Sequence, residues 1–83
     1  MIRVELDVTE GVLASMKKDA NGFAREMRLV AAVKWYEMRK VSQERAAEIA
    51  GLPRADFIDA LGRFGVSPFQ CSADEIVEEA LRG

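Results

Sequence analysis

The sequence predicts a mostly α-helical domain of about five helices, with one short β element at its N-terminal end. Three observations carry that expectation. Ile2, Val4, Leu6 and Val8 alternate with Arg3, Glu5 and Asp7, which is the period of a strand with one apolar face. Apolar residues then recur with helical spacing over residues 23–40, and nine of the twelve positions in 27–38 are apolar. Beyond that stretch, Ser42, Gly51, Pro53 and the pair Ser72 and Glu75 are start and stop signals for three further helices.

Residues 1–8 read as the strand, and a single strand needs a second one from the same chain or from a symmetry mate. Thr9 is placed to cap a short helix to about Lys18, with Glu10 near its positive end. Asp19, Ala20, Asn21 and Gly22 have the composition of a turn. The helix over residues 23–40 is apolar round most of its circumference, so it is expected to be central and buried, with Trp35 and Tyr36 as core anchors. Ser42 caps a helix running to Ala50, Gly51 supplies a left-handed C-terminal residue, and Pro53 opens a helix to about Phe64. The stretch 66–71 reads as an extended edge segment, because Pro68 cannot donate to a ladder. Ser72 and Glu75 form an S-x-x-E box that opens an acidic, amphipathic last helix over residues 72–82.

Eighty-three residues make one domain, 1–83. A chain of this size buries only about 60–65% of its unfolded surface, so a second copy or a partner protein is expected to help hold it. No apolar run approaches the length of a membrane span, and residues 1–7 mix charge with apolar residues unlike a secretory signal. The single cysteine, Cys71, fits a reducing cytoplasm. Without histidine, the chain has no Ser-His-Asp triad, Cys-His pair or His/Cys zinc site. It also has no Gly-rich phosphate loop. An enzyme is not expected, and no cofactor is implied.

The net charge of −2 is unevenly spread. Residues 17–45 are net positive, whereas both ends are acidic. Such a layout suits a basic face for an anionic partner and an acidic tail for a basic one, although ordinary solvated surface has the same pattern.

Residues 42–61, SQERAAEIAGLPRADFIDAL, carry the most specific signal. Two short helices meet at a turn where Gly51 reverses the chain. Ala47 must be small where the second helix crosses, and Ala46, Ala50, Leu52, Phe57 and Ala60 fall at apolar contact positions. This is the pattern of a helix-turn-helix over residues 42–64; the rival is any αα-hairpin with a glycine turn. In a DNA-binding use the second helix enters the major groove. Arg54 is then the base reader, with Ala55, Ile58 and Asp59 beside it and Arg63 on the same helix. Ser42, Gln43 and Arg45 are expected at phosphates by the N-terminal end of the first helix. Asp56 and Asp59 offset Arg54 and Arg63, so a monomer would bind weakly. A homodimer on double-stranded operator DNA, or a protein-contact module that leaves DNA alone, are the two ways to resolve this. A ribbon-helix-helix use of the N-terminal strand is set aside, because two of its three outward residues are acidic.

Here the sequence resembles a family of small prokaryotic proteins of uncharacterised function, whose core reads roughly A-x-x-L-Y-x-x-G-x-x-S-x-x-x-A-A-x-x-A-G-[LM]-x-x-x-x-F-x-x-x-L-x-x-x-G-[IV]. The matching residues are Ala32, Tyr36, Ser42, Ala46, Ala47, Ala50, Gly51, Leu52, Phe57, Leu61, Gly65 and Val66. The resemblance covers residues 30–81. It departs at the glycine of Y-x-x-G, where Arg39 and Lys40 stand and the helix is expected to run on, and Trp35 replaces the commoner leucine. The resemblance implies a helix-turn-helix protein. Members are often encoded beside PIN-domain nucleases and are regarded as antitoxins of such toxin–antitoxin pairs. It therefore implies transcription regulation at the chain's own promoter and a cognate toxin as partner. The acidic tail (Asp74, Glu75, Ile76, Glu78, Glu79 and Leu81) is the expected toxin-binding element, set against the simpler reading that the last helix packs on its own domain.

Overall fold

The computed structural model describes residues 1–68. Four helices follow in order: α1 Glu10–Met16, α2 Ala20–Glu37, α3 Gln43–Ala50 and α4 Arg54–Arg63. Helix α2 is the longest and lies at the centre: α1 and α3 both pack on it, and α4 packs on α3. The expected last helix, the extended segment beyond Pro68 and Cys71 lie outside the described residues.

Side chains start three of the four helices. Thr9 Oγ1 accepts from the Val12 amide, Asp19 Oδ1 from the Gly22 amide at 2.7 Å, and Ser42 Oγ from the Arg45 amide at 3.1 Å. Each bond satisfies an amide that the helix itself leaves without an acceptor. Pro53 precedes α4 without a side-chain bond, as its missing N–H requires nothing there. The residues Asp19 to Gly22 are therefore not a turn. Asp19 is the N-cap of α2 and Ala20–Gly22 form its first helical turn, because aspartate serves both structures equally well.

All four helices end in the same backbone device. Beyond each last turn, one amide bonds back five residues and the amide before it three, the Schellman pattern. The pairs are Lys18 to Leu13 O with Lys17 to Ala14 O, and Lys40 to Trp35 O with Arg39 to Tyr36 O. The other two are Leu52 to Ala47 O with Gly51 to Glu48 O, and Val66 to Leu61 O with Gly65 to Gly62 O. The left-handed residue is glycine in α3 and α4 but Lys17 (φ 56°) and Arg39 (φ 62°) in α1 and α2. Helix α2 thus stops at Glu37 rather than running on to Lys40. Arg39 takes the left-handed conformation at the position where the sequence pattern has glycine. A left-handed L-residue costs about 1–2 kcal/mol, partly offset in glycine by its more flexible unfolded chain. We expect Arg39→Gly to stabilise the fold by about 0.5–1 kcal/mol in urea titration. A loss of stability would contradict the strain assigned to Arg39.

The core is small and rich in alanine: Ala32, Val33 and Tyr36 of α2, Ala46 and Ala47 of α3, Ala60 among α4's contributions, and Val66. Phe57 and Leu61 are its largest fully enclosed side chains. The alanines let α2, α3 and α4 approach closely, and Phe57 meets the Tyr36 ring edge-on, with centroids 6.2 Å apart and planes at 85°. Trp35, expected in the core beside Tyr36, is instead 42% exposed. The apolar arc of α2 is wider than the surface α3 and α4 can cover, so Val30, Trp35 and Met38 remain outside.

The N-terminal strand does not form among the described residues. Residues 1–9 carry no ladder, and there is no strand among the described residues. The alternation supplies one apolar face, but the described residues offer no second strand to pair with it.

Candidate nucleic-acid interface

The α3–α4 pair is built from local rules upward. Ser42 fixes the start of α3, and Gly51 (φ 73°) closes it and turns the chain. Arg28 of α2 reinforces that end: its Nε donates to Ile49 O at 2.8 Å and its Nη2 to Glu48 O at 3.4 Å. These carbonyls carry the negative end of the helix dipole, which suits a guanidinium. On α4, Phe57, Ala60 and Leu61 face the core. Ala55, Asp56, Asp59 and Arg63 are exposed and Ile58 is half-buried. The outward residues expected beside a groove are therefore available to a partner.

Gln43 is placed otherwise. It was expected at a phosphate but is 5% exposed, the one buried polar residue among those described. Its Nε2 donates to Pro68 O at 3.2 Å and towards the Tyr36 hydroxyl at 3.5 Å. The Tyr36 hydroxyl donates in turn to Pro68 O at 2.9 Å. Its Oε1 accepts from Arg54 Nε at 2.7 Å. The amide thus spends its donor and its acceptor inside the protein, as burial demands. Its role is to hold Arg54, the first residue of α4, by one nitrogen. The two terminal nitrogens of Arg54 have no partner among the described residues, and Arg54 lines a cleft with Glu44, Ala47, Glu48 and Leu52.

Arg45 projects from the first turn of α3 and pairs with Glu48, Nη1 to Oε2, at 2.8 Å. That hydrogen bond, together with the charge of Glu48, raises the guanidinium further above its ordinary value, so Arg45 stays a cation. The pair is exposed, and a phosphate can compete with Glu48 at little cost.

Arg63 does not join Arg54. It lines a separate groove of about 620 Å³ between the first half of α2 and the far end of α4. Lys18, Arg25 and Arg28 share that groove, with Glu26 its one acid, paired to Lys18 at 3.2 Å. This gathering of cations was not foreseen. The positive balance of residues 17–45 pointed to it, but only the packing of α2 on the turn selects which bases face one way. The tail residues Asp74, Glu75, Ile76, Glu78, Glu79 and Leu81 lie outside the described residues.

Among the described residues no group of carboxylates and thiols is placed to hold a metal ion, and no helix is long and apolar enough to cross a membrane. The site is thus a surface on a small all-α domain: an arginine held at the start of α4, with a groove rich in cations on the other side of the turn. The chain belongs to the Uncharacterised protein family (UPF0175), which it matches over residues 1–81. No curated protein and no solved structure matches it.

Proposed function

We propose that the chain is a DNA-binding regulator in which α3, the turn at Gly51 and α4 act as a helix-turn-helix. In this reading it is a cytoplasmic antitoxin that binds its own promoter as a homodimer and neutralises a PIN-type nuclease. The observation that carries the DNA part is the 2.7 Å bond from Arg54 Nε to Gln43 Oε1. It fixes the arginine while leaving the two terminal nitrogens to meet O6 and N7 of a guanine end-on. A side chain already immobilised loses less entropy on binding. Ala55, Ile58 and Asp59 would lie beside it at the base edges. Arg45, Ser42 and the first amides of α3 would meet one stretch of phosphates, and Arg63 with Arg25 another. The antitoxin part rests on the family resemblance and on the acidic, amphipathic composition of residues 74–81.

Fluorescence anisotropy on the DNA upstream of the gene, against a scrambled duplex at two salt concentrations, tests the reading. Preference for the chain's own DNA that weakens steeply with salt is the expected result. Arg54→Ala should cost about 1–3 kcal/mol of specific binding. Gln43→Ala should lose part of the same energy, and Arg54→Ala should cost less in the Gln43→Ala background than alone. Unchanged affinity in Arg54→Ala removes it as the reader; strictly additive losses remove Gln43 as its support. Truncation before Ala73 should spare DNA binding and abolish toxin neutralisation, whereas neutralisation by the truncated chain would remove the tail from the role.

A second reading, a protein-interaction module that leaves DNA alone, is favoured by one observation. Asp56 and Asp59 are exposed on α4 beside Arg54 and would repel phosphate. Absence of binding even at low salt would select it.

A further inference from the structure

We propose that residues 2–6 pair antiparallel with the same residues of a second copy of the chain, about a two-fold axis at Val4, and that this ribbon closes the apolar groove on α2. The inference extends the dimer of the preceding reading to a named interface, and its test uses no DNA, so either can fail without the other.

The segment lies outside every helix, and among the described residues its backbone amides and carbonyls make no hydrogen bond. Its apolar side chains are turned out of any core: Ile2 is 93% exposed, Val4 81% and Leu6 68%. Together with Phe23, Met27 and Trp35 of α2 they line a mainly apolar groove of about 740 Å³ that no other segment of the described residues covers. An unpaired edge beside an uncovered apolar face asks for a strand and for apolar side chains at once.

The charges select the occupant and the register. Registers that set apolar opposite apolar differ in steps of two residues, since a slip of one reverses the faces. Centring the axis on Arg3 sets Arg3 against Arg3, and centring it on Leu6 sets Glu5 against Asp7 twice. Centring on Glu5 sets Arg3 against Asp7 twice but places Glu5 against Glu5 at the axis itself, so Val4 is the one centre of the four without a like-charge pair. A parallel in-register pairing sets Arg3 against Arg3 and Glu5 against Glu5. Centring on Val4 sets Arg3 against Glu5 of the second copy twice over, with Ile2 against Leu6 and Val4 against Val4. Directly opposed like charges weaken a ladder and opposite charges support it. Within one chain Arg3 and Glu5 are already paired at 3.2 Å, but with side chains 87% and 74% exposed that contact is weak and free to exchange. A two-stranded ribbon is unstable alone, and here α2 gives it the apolar layer it needs.

Sedimentation equilibrium of the full chain across the micromolar range is the test. The wild type should be a dimer. Arg3→Glu or Glu5→Arg places like charges opposite at two sites, and each should weaken self-association at least about tenfold, the equivalent of about 1.4 kcal/mol. Far-UV circular dichroism should confirm that both variants keep their helices. Mixed in equal amounts, the two variants should recover a heterodimer of wild-type strength, because every cross-strand pair is then opposite in sign. An intrachain Arg3–Glu5 contact cannot give that recovery. A monomeric wild type, as when residues 69–83 of the same chain cover the groove, overturns the proposal. So does a dimer indifferent to both variants, or a mixture that stays as weak as its components.

Discussion

Phe57→Ala is expected to destabilise the domain by about 3–5 kcal/mol. The size follows from what else the core contains. Four of the buried core residues are alanines (Ala32, Ala46, Ala47 and Ala60), so Phe57, Leu61 and Tyr36 supply the bulkiest buried side chains. Val33 and Val66 lie beside them, with Leu29, Val41, Ile49 and Leu52 partly buried at the edge. Removing the ring deletes fully enclosed apolar surface and the edge-on contact with Tyr36. The cavity cannot collapse easily, because the alanines already hold the helices close. Small domains are stable by only about 5–15 kcal/mol, and one of 83 residues lies towards the low end. The variant should therefore unfold at a much lower urea concentration, with a slope typical of the same domain. Urea titration followed by circular dichroism reads this directly. Phe57→Leu should cost less than half as much, since it keeps most of the apolar volume. A loss below about 1 kcal/mol for Phe57→Ala would mean that Phe57 is not the keystone of this core. Tyr36 carries the effect towards the site, because its ring meets Phe57 and its hydroxyl shares Pro68 O with Gln43.

The parts of this architecture legible in the sequence are those set by neighbours in the chain. Thr9, Ser42 and Gly51 act through bonds spanning three to five residues, and they stand where caps and turns were expected. The buried set Ala46, Ala47, Phe57 and Ala60 was equally legible, because helical spacing alone puts those residues on inward faces. Asp19 was misread because its composition fits a turn and a cap alike. Arg39 was misread because a left-handed arginine has no compositional sign. The burial of Gln43 depends on partners 11 and 25 residues away, Arg54 and Pro68, and glutamine is ordinarily a surface residue. The groove of Lys18, Arg25, Arg28 and Arg63 likewise exists only after α2 has packed on the turn. Of the expected site, Ala55, Asp59 and Arg63 are exposed on α4 and Ile58 is half-buried. The residue that holds Arg54, and the second set of cations, became visible only in three dimensions.

Gly51→Val is expected to cost about 2–4 kcal/mol, from two separable sources. The first is backbone: residue 51 has φ 73°, a conformation that a β-branched residue adopts only under strain. The second is a neighbour. A Cβ on residue 51 would stand 2.9 Å from Arg28 Nη2 and 3.1 Å from Cζ and Nη1. The guanidinium is the far end of a flexible side chain and can swing away, but doing so gives up its bonds to Ile49 O and Glu48 O at the end of α3. Gly51→Asn should recover much of the first cost, because asparagine tolerates the left-handed region, while retaining the second. In an Arg28→Ala background Gly51→Val should lose only the backbone component, so the two substitutions should be less than additive. Thermal and urea unfolding of the four variants separates these outcomes. Full additivity would show that Arg28 does not bear on the turn, and a cost below about 1 kcal/mol for Gly51→Val would show that residue 51 is not held left-handed. The same turn sets the angle between α3 and α4, and with it the distance from Gln43 to Arg54. Gly51→Asn, folded but with Arg28 displaced, should therefore bind DNA like the wild type if Gln43 alone holds Arg54, and more weakly if the turn has moved α4.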